Sequence, residues 1–85
     1  MFQPTETLTA YNAEQTLQQG LQAIVAGQTN IDLAGLTMVD SAAVATLLAW
    51  KRAAADQGKQ ITFHHVPPSL RSLADLYGVN ELLVN

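Results

Sequence analysis

Apolar positions recur along this chain in two rhythms. Leu17, Leu21, Ile24 and Val25 fall at i, i+4, i+7 and i+8, the stripe of a 3.6-residue helix. The spacing predicts a helix over about residues 13–26, with Gln15, Gln18, Gln19 and Gln22 toward water. Asn12 followed by Gln15 fits a capped start, and Gly27 supplies the stop. Upstream, residues 6–11 are Thr-rich and carry Leu8 and Tyr11, which reads as a strand. Ile31-Asp32-Leu33 begins a second short strand, Gly35 breaks it, and Leu36, Met38 and Val39 carry the chain inward again. Asp40 and Ser41 are both good N-cap residues. They precede a predicted helix over about 42–57 that stops at Gly58, with Val44, Leu47, Leu48 and Ala55 as its core stripe. Residues 60–66 alternate as a strand, with Ile61 and Phe63 on one face. Pro67 and Pro68 end it, and Val66 stays extended before a proline. Pro68 and Ser69 open a third helix. Its apolar face is Leu70, Leu73, Ala74 and Tyr77, with Leu76 beside them. Gly78 is the stop, and Val79 is placed to touch the last turn. Asn80 caps a final turn through Glu81, Leu82 and Leu83.

Strands and helices therefore alternate three times, which predicts an α/β layer with parallel strand pairs and right-handed crossovers. A length of 85 residues makes this a single domain, residues 1–85. Only 13% of the chain is charged, so Gln, Thr, Ser and Asn must supply most of the polar exterior. A net charge of −3 with four Lys and Arg in all leaves no basic patch for a phosphate backbone, which argues against nucleic acid. The absence of cysteine excludes disulfides, thiolate metal sites and Cys nucleophiles. Met1 to Glu6 has neither the basic nor the apolar region of a signal peptide. The longest nearly apolar run, Ala42 to Trp50, is far short of the about 20 residues of a spanning helix. A soluble cytoplasmic protein is the expectation.

Chemistry is sparse. The glycines at 20, 27, 35, 58 and 78 are isolated, so no phosphate-cradling loop exists. His64 and His65 are neighbours on a strand and should point to opposite faces, which disfavours joint metal binding. Asp32 reads as a strand-end acid bonded to a nearby loop, since no nucleophile motif accompanies it. Arg52 and Asp56, at i and i+4, read as a solvated helix face. An enzyme needs a pocket of perturbed titratable groups, and no catalytic constellation, cofactor site or metal site is found.

The informative stretch is Ile31 to Trp50. A helix N-terminus presents free N–H groups and a partial positive charge. A hydroxyl at Ser41 can cap it, or can carry a phosphate that the dipole stabilises. The helix that follows has a second arc, Ala43, Thr46, Trp50, Ala53 and Gln57, away from its core stripe. A lone Trp among small residues there reads as a flat docking surface or as packing under a neighbouring helix; both readings stand.

Two blocks of residues resemble the signature of STAS domains, the sulphate-transporter and anti-sigma-factor-antagonist family. The first is Ile31-Asp32-Leu33-Ala34-Gly35-Leu36, then Met38-Val39-Asp40-Ser41-Ala42-Ala43-Val44 and Leu47-Leu48. The second is Val66-Pro67-Pro68-Ser69-Leu70-Arg71-Ser72-Leu73-Ala74 with Leu76-Tyr77-Gly78-Val79. The resemblance spans about residues 13–84, and it departs from the family where Ala42-Ala43 replaces a small-Gly pair. It implies an α/β fold with a mixed sheet of about four strands packed against three to four helices. It also implies a non-enzymatic role, binding a partner through the loop and helix that begin at Asp40-Ser41; with the second arc of that helix, the candidate contact residues are Asp40, Ser41, Ala42, Ala43, Thr46 and Trp50. In the MlaB-type branch, that partner is the ATPase subunit of an ABC phospholipid transporter that maintains outer-membrane asymmetry. The implied place is then the inner membrane's cytoplasmic side, reached through the partner without insertion. In the antagonist branch, the partner is a kinase-like anti-sigma factor that phosphorylates the equivalent of Ser41. Leu76-Tyr77-Gly78-Val79 and the Ala-rich helix with Trp50 look more like the first branch.

Overall fold

In the computed structural model, which describes residues 1–83 (Leu82 in its backbone only), short strands alternate with longer helices. The order is β1 (Glu6–Leu8), α1 (Ala13–Val25), β2 (Asn30–Asp32), β3 (Leu36–Val39), α2 (Ser41–Asp56), β4 (Thr62–His64) and α3 (Pro68–Leu76). A 3-10 turn, Asn80–Leu83, follows. The predicted first strand is shorter than expected, because the chain turns after Leu8 and Tyr11 is left wholly in solvent. Leu36 to Val39 form a strand of their own, on which Met38 is exposed, and the strand expected over 60–66 is confined to Thr62–His64.

The strands pair in parallel, as the alternation predicts, and form two two-stranded sheets in place of one mixed sheet of four. β1 lies against β3, with Leu8 opposite Val39. β2 lies against β4, with Ile31 opposite Phe63 and Asp32 opposite His64. Phe2 bridges Ile31 in parallel, and its carbonyl accepts from the Asp32 N–H at 2.9 Å. The start of the chain thus joins the β2 pair before β1 joins β3. The register slips between Glu6 and Thr7, where the Thr37 hydroxyl donates to the Glu6 carbonyl at 3.0 Å.

All three helices end on the same device. After α3, the Gly78 N–H reaches the Asp75 carbonyl at 3.1 Å and the Val79 N–H reaches Ala74 at 2.9 Å. This is the paired 5→2 and 6→1 bonding of a Schellman cap. It requires the left-handed φ of +70° that Gly78 adopts, which glycine takes without steric cost. Gly27 and Gly58 end α1 and α2 in the same way.

The core gathers strand residues Leu8, Ile31, Leu36 and Phe63, with Leu33 and Ile61 at the strand ends, under helix residues Ile24, Val44, Leu47, Trp50, Leu70 and Ala74. Its geometry corrects three stripes. On α1 the buried line is Thr16, Gly20 and Ile24, with Leu17 and Leu21 half-buried and Val25 exposed at 70%. On α2, Ala54 is buried where Ala55 was expected, and Leu48 is half-buried. On α3, Leu70 and Ala74 are buried as predicted, but Tyr77 and Leu76 stand in solvent. The first two corrections share a cause. Trp50 enters the α1–α2 seam over Gly20, where a Cβ would overlap the indole ring. Small residues are what let two helices close around a large ring, and a hydropathy stripe does not count them.

Candidate functional site

The site expected from the sequence begins where β3 runs into α2. Asp40 is the N-cap: its Oδ1 accepts from the Ala42 N–H at 2.8 Å, and the chain there is extended. A carboxylate at this position also complements the helix dipole. Its second oxygen accepts from the Ala10 N–H at 3.1 Å, so one side chain ties the β1–α1 loop to the start of α2. Ser41 is therefore freed from capping. It is the first residue of α2 and is exposed.

From Ser41 an open line runs along α2 through Ala45, Leu48, Ala49 and Arg52 to Asp56, each exposed or half-buried. A groove borders it on either side. One, of about 310 Å³, lies toward α1 and includes Ala13, Glu14, Leu17, Ala42 and Ala45. The other, of about 350 Å³, lies toward α3 and includes Ser41, Ala45, Leu48, Tyr77 and Val79. The site residues expected from sequence thus separate into two groups. Asp40, Ser41 and Ala42 come together at the open end of the helix. Ala43, Thr46 and Trp50 face inward and are buried, so the docking arc expected on that flank is not a surface.

The reason is visible in the contacts of Trp50. It has no exposed area, and its indole N–H donates to the Leu17 carbonyl at 3.0 Å. Phe2 meets the ring edge-on at 5.5 Å. The Thr46 hydroxyl donates back to the Ala42 carbonyl at 2.8 Å. Each polar atom that enters the seam thus finds a partner there. Ala45, Leu48 and Tyr77 were missed as candidates for the open surface. The i, i+4 and i+7 spacing of Ser41, Ala45 and Leu48 is a sequence signal that could have found the first two.

A second cluster lies at the ends of β2 and β4. Asp32 accepts from the Ala34 N–H at 2.9 Å, which agrees with its reading as a loop-bound acid, and from the His65 ring at 3.1 Å. The Ala34 bond first, and His65 and His64 after it, hold its carboxyl below the ordinary value. His64 bonds Asn30 instead, at 2.9 Å. His65 does not alternate with His64, because the strand ends there and its φ of +56° turns the ring onto Asp32. Among the described residues, no three His, Asp or Glu are placed to hold a metal ion. Nor is any helix among them long and apolar enough to cross a membrane.

Comparison with known proteins gives no match among curated proteins. Among solved structures, the chain is similar to the anti-sigma factor antagonist SpoIIAA in its unphosphorylated form. The TM-score is 0.72 at 19% identity, over 94% of this chain and 72% of that one. Identity this low speaks for the fold, and the α/β arrangement is that of SpoIIAA. The family described as "Mlab, STAS domain" matches residues 5–85, nearly the whole chain. STAS domains work through contacts with other proteins, and this chain belongs to the MlaB-type STAS family.

Proposed function

We propose that this domain is a non-enzymatic accessory subunit that docks on the ATPase of an ABC-type phospholipid transporter, using the Ser41 end of α2 and its open face. One observation carries the reading. In an MlaB-type domain, the capping carboxylate of Asp40 leaves Ser41 exposed at the head of a face bordered by two grooves. A small hydroxyl there lets a partner's backbone approach closely. On this reading the domain works in the cytoplasm and reaches the inner membrane through its partner alone.

The likeness to SpoIIAA supports a second reading, in which Ser41 is the phosphate acceptor for a kinase-like anti-sigma factor. The helix N-terminus would stabilise the added charge.

The test is affinity measurement against the purified ATPase subunit of an ABC phospholipid transporter from the same organism, with Ser41→Ala and Ser41→Asp as variants. An acid at the first helical position is favoured by the dipole and opposed by Asp40 next to it, so the fold should hold. In an interface the acid must lose its water. The expected result is wild-type binding, a loss well over tenfold for Ser41→Asp and a smaller loss for Ser41→Ala. Equal, undiminished affinity for both variants removes Ser41 from the contact. ATP-dependent phosphorylation of wild type but not Ser41→Ala by a kinase-like partner, with no ATPase binding, establishes the second reading.

A further inference from the structure

The chain has two tyrosines, Tyr11 and Tyr77, and each belongs to a segment that adjoins the exposed end of α2. Tyr77 lines the groove toward α3 together with Ser41 and Leu48. Tyr11 lies two residues before Ala13, which lines the groove toward α1, and one residue after Ala10, which is bonded to the Asp40 cap. Tyr11 is fully exposed and Tyr77 is 53% exposed. Neither ring contributes to the core. Aromatic area left in water has no stabilising use in the free domain, and tyrosine is among the residues most enriched at the energetic centres of interfaces.

The Tyr11 turn is also held in place. The Thr9 N–H donates to the Asn12 carboxamide at 3.1 Å, and that side chain donates to the Thr7 carbonyl at 2.7 Å. The Tyr11 N–H donates to the Thr9 hydroxyl at 3.3 Å. Asn12 stands at the α1 N-cap without capping it, its side chain being committed to the turn. A backbone ordered before binding loses less entropy on association.

Building on the docking reading, we infer that Tyr11 and Tyr77 are the aromatic anchors of the contact. The partner element they grip is an amphipathic helix laid on α2, carrying a basic residue opposite Glu14. The two grooves run along either side of the open face of α2 and share Ala45 as a wall. Side chains of a helix packed on this face fall into both, as ridges enter grooves in helix pairs. Glu14 is the charged residue lining these grooves, on a chain of net charge −3. A basic residue on the partner matches it.

The experiment measures binding of the intact domain to the ATPase for wild type, Tyr11→Ala, Tyr77→Ala, Glu14→Gln and Ser41→Asp, with a thermal melt for each. Both tyrosine variants should melt like wild type and bind at least tenfold more weakly, and Glu14→Gln should flatten the salt dependence of affinity. Wild-type affinity in both tyrosine variants, with Ser41→Asp still defective, overturns the anchors and leaves the docking reading standing. An ATPase that fails to bind even the wild-type domain overturns both. Tyrosine-dependent self-association in sedimentation, with ATPase affinity unchanged, assigns the face to a second copy and overturns the partner helix. An unchanged salt dependence in Glu14→Gln overturns the basic match.

Discussion

The two flanks of α2 are built from similar residues and serve opposite ends. Toward α1, Ala43 and Thr46 are buried with Trp50 in a closed seam. Away from it, Ser41 and Ala45 are exposed. On the first flank, smallness lets a neighbouring helix come close, and Gly20 completes the notch for the indole. On the second, smallness leaves a shallow face that another protein can approach. Residue type alone does not distinguish them. The difference lies in what faces each flank: α1 supplies the Gly20 notch for the indole ring and the Leu17 carbonyl as its hydrogen-bond acceptor.

Trp50→Ala tests the closed flank most severely. Removing a buried aromatic ring costs about 3–5 kcal/mol, much of the stability of a domain this small. Denaturant unfolding should show a steep fall in midpoint. A stable, fully folded variant would mean that the seam is not part of the core.

A matched pair sets the flanks side by side. Ala43→Leu should overpack the seam and cost about 1–3 kcal/mol. Ala45→Leu, two residues on, should stay within about 0.5 kcal/mol of wild type, as surface changes do. Equal losses in chemical denaturation would erase the distinction between the flanks.

Gly20→Ala sets two effects against each other. Alanine gains about 1 kcal/mol of helix propensity over glycine, but its methyl meets the rigid indole, at an overpacking cost of about 1–3 kcal/mol. The net should be a loss of up to about 2 kcal/mol. A rise in melting temperature would show that Trp50 yields easily and that the notch is loose.

The smallest effect lies away from both flanks and serves as a control. The carboxyl of Asp32 is held below its ordinary value of 3.8, chiefly by the Ala34 N–H. A depressed acid contributes stability that is present above the unfolded value and is lost as pH falls through the lower folded one. Asp32→Asn should therefore flatten the stability curve below about pH 4 and leave the seam and the open face unaffected. An acid limb identical to wild type would show that these bonds do not bear on folding.

Much of the fold was legible because it rests on signals of period and punctuation. The three glycine stops, the Pro68 start and the shared burial of Ile61 and Phe63 appear in the structure, and the strand–helix order appears with one strand, β3, added before α2. The Asp40-Ser41 junction was legible for the same reason: an N-cap is a local device, and α2 begins at Ser41. The direction of the Trp50 arc was not. A tryptophan amid alanines has the same pattern whether a helix or solvent faces it, and the deciding residue, Gly20, lies 30 positions away. Tyr11 was placed in a strand because Thr and Tyr favour strands. The Asn12 side chain instead closes a turn by bonding backbone groups on its N-terminal side, a use that residue type alone does not reveal.

The parallel pairing has a consequence for how the chain acquires its shape. β1 must wait for β3 and β2 for β4, each across a helix, so no strand can find its neighbour through a tight hairpin. Every rung of these ladders closes a loop of about thirty residues, and the entropy of closure is lost before the contact is gained. Phe2 is half-buried at the edge of this arrangement, tied to Ile31 and set against Trp50. The β2–β4 ladder therefore stays open until α2 has been made. A fragment ending before Trp50 would hold α1 and three of the strands, yet would lack the ring around which the helices close. The domain should consequently assemble in one concerted step, more slowly than a helical bundle of equal length.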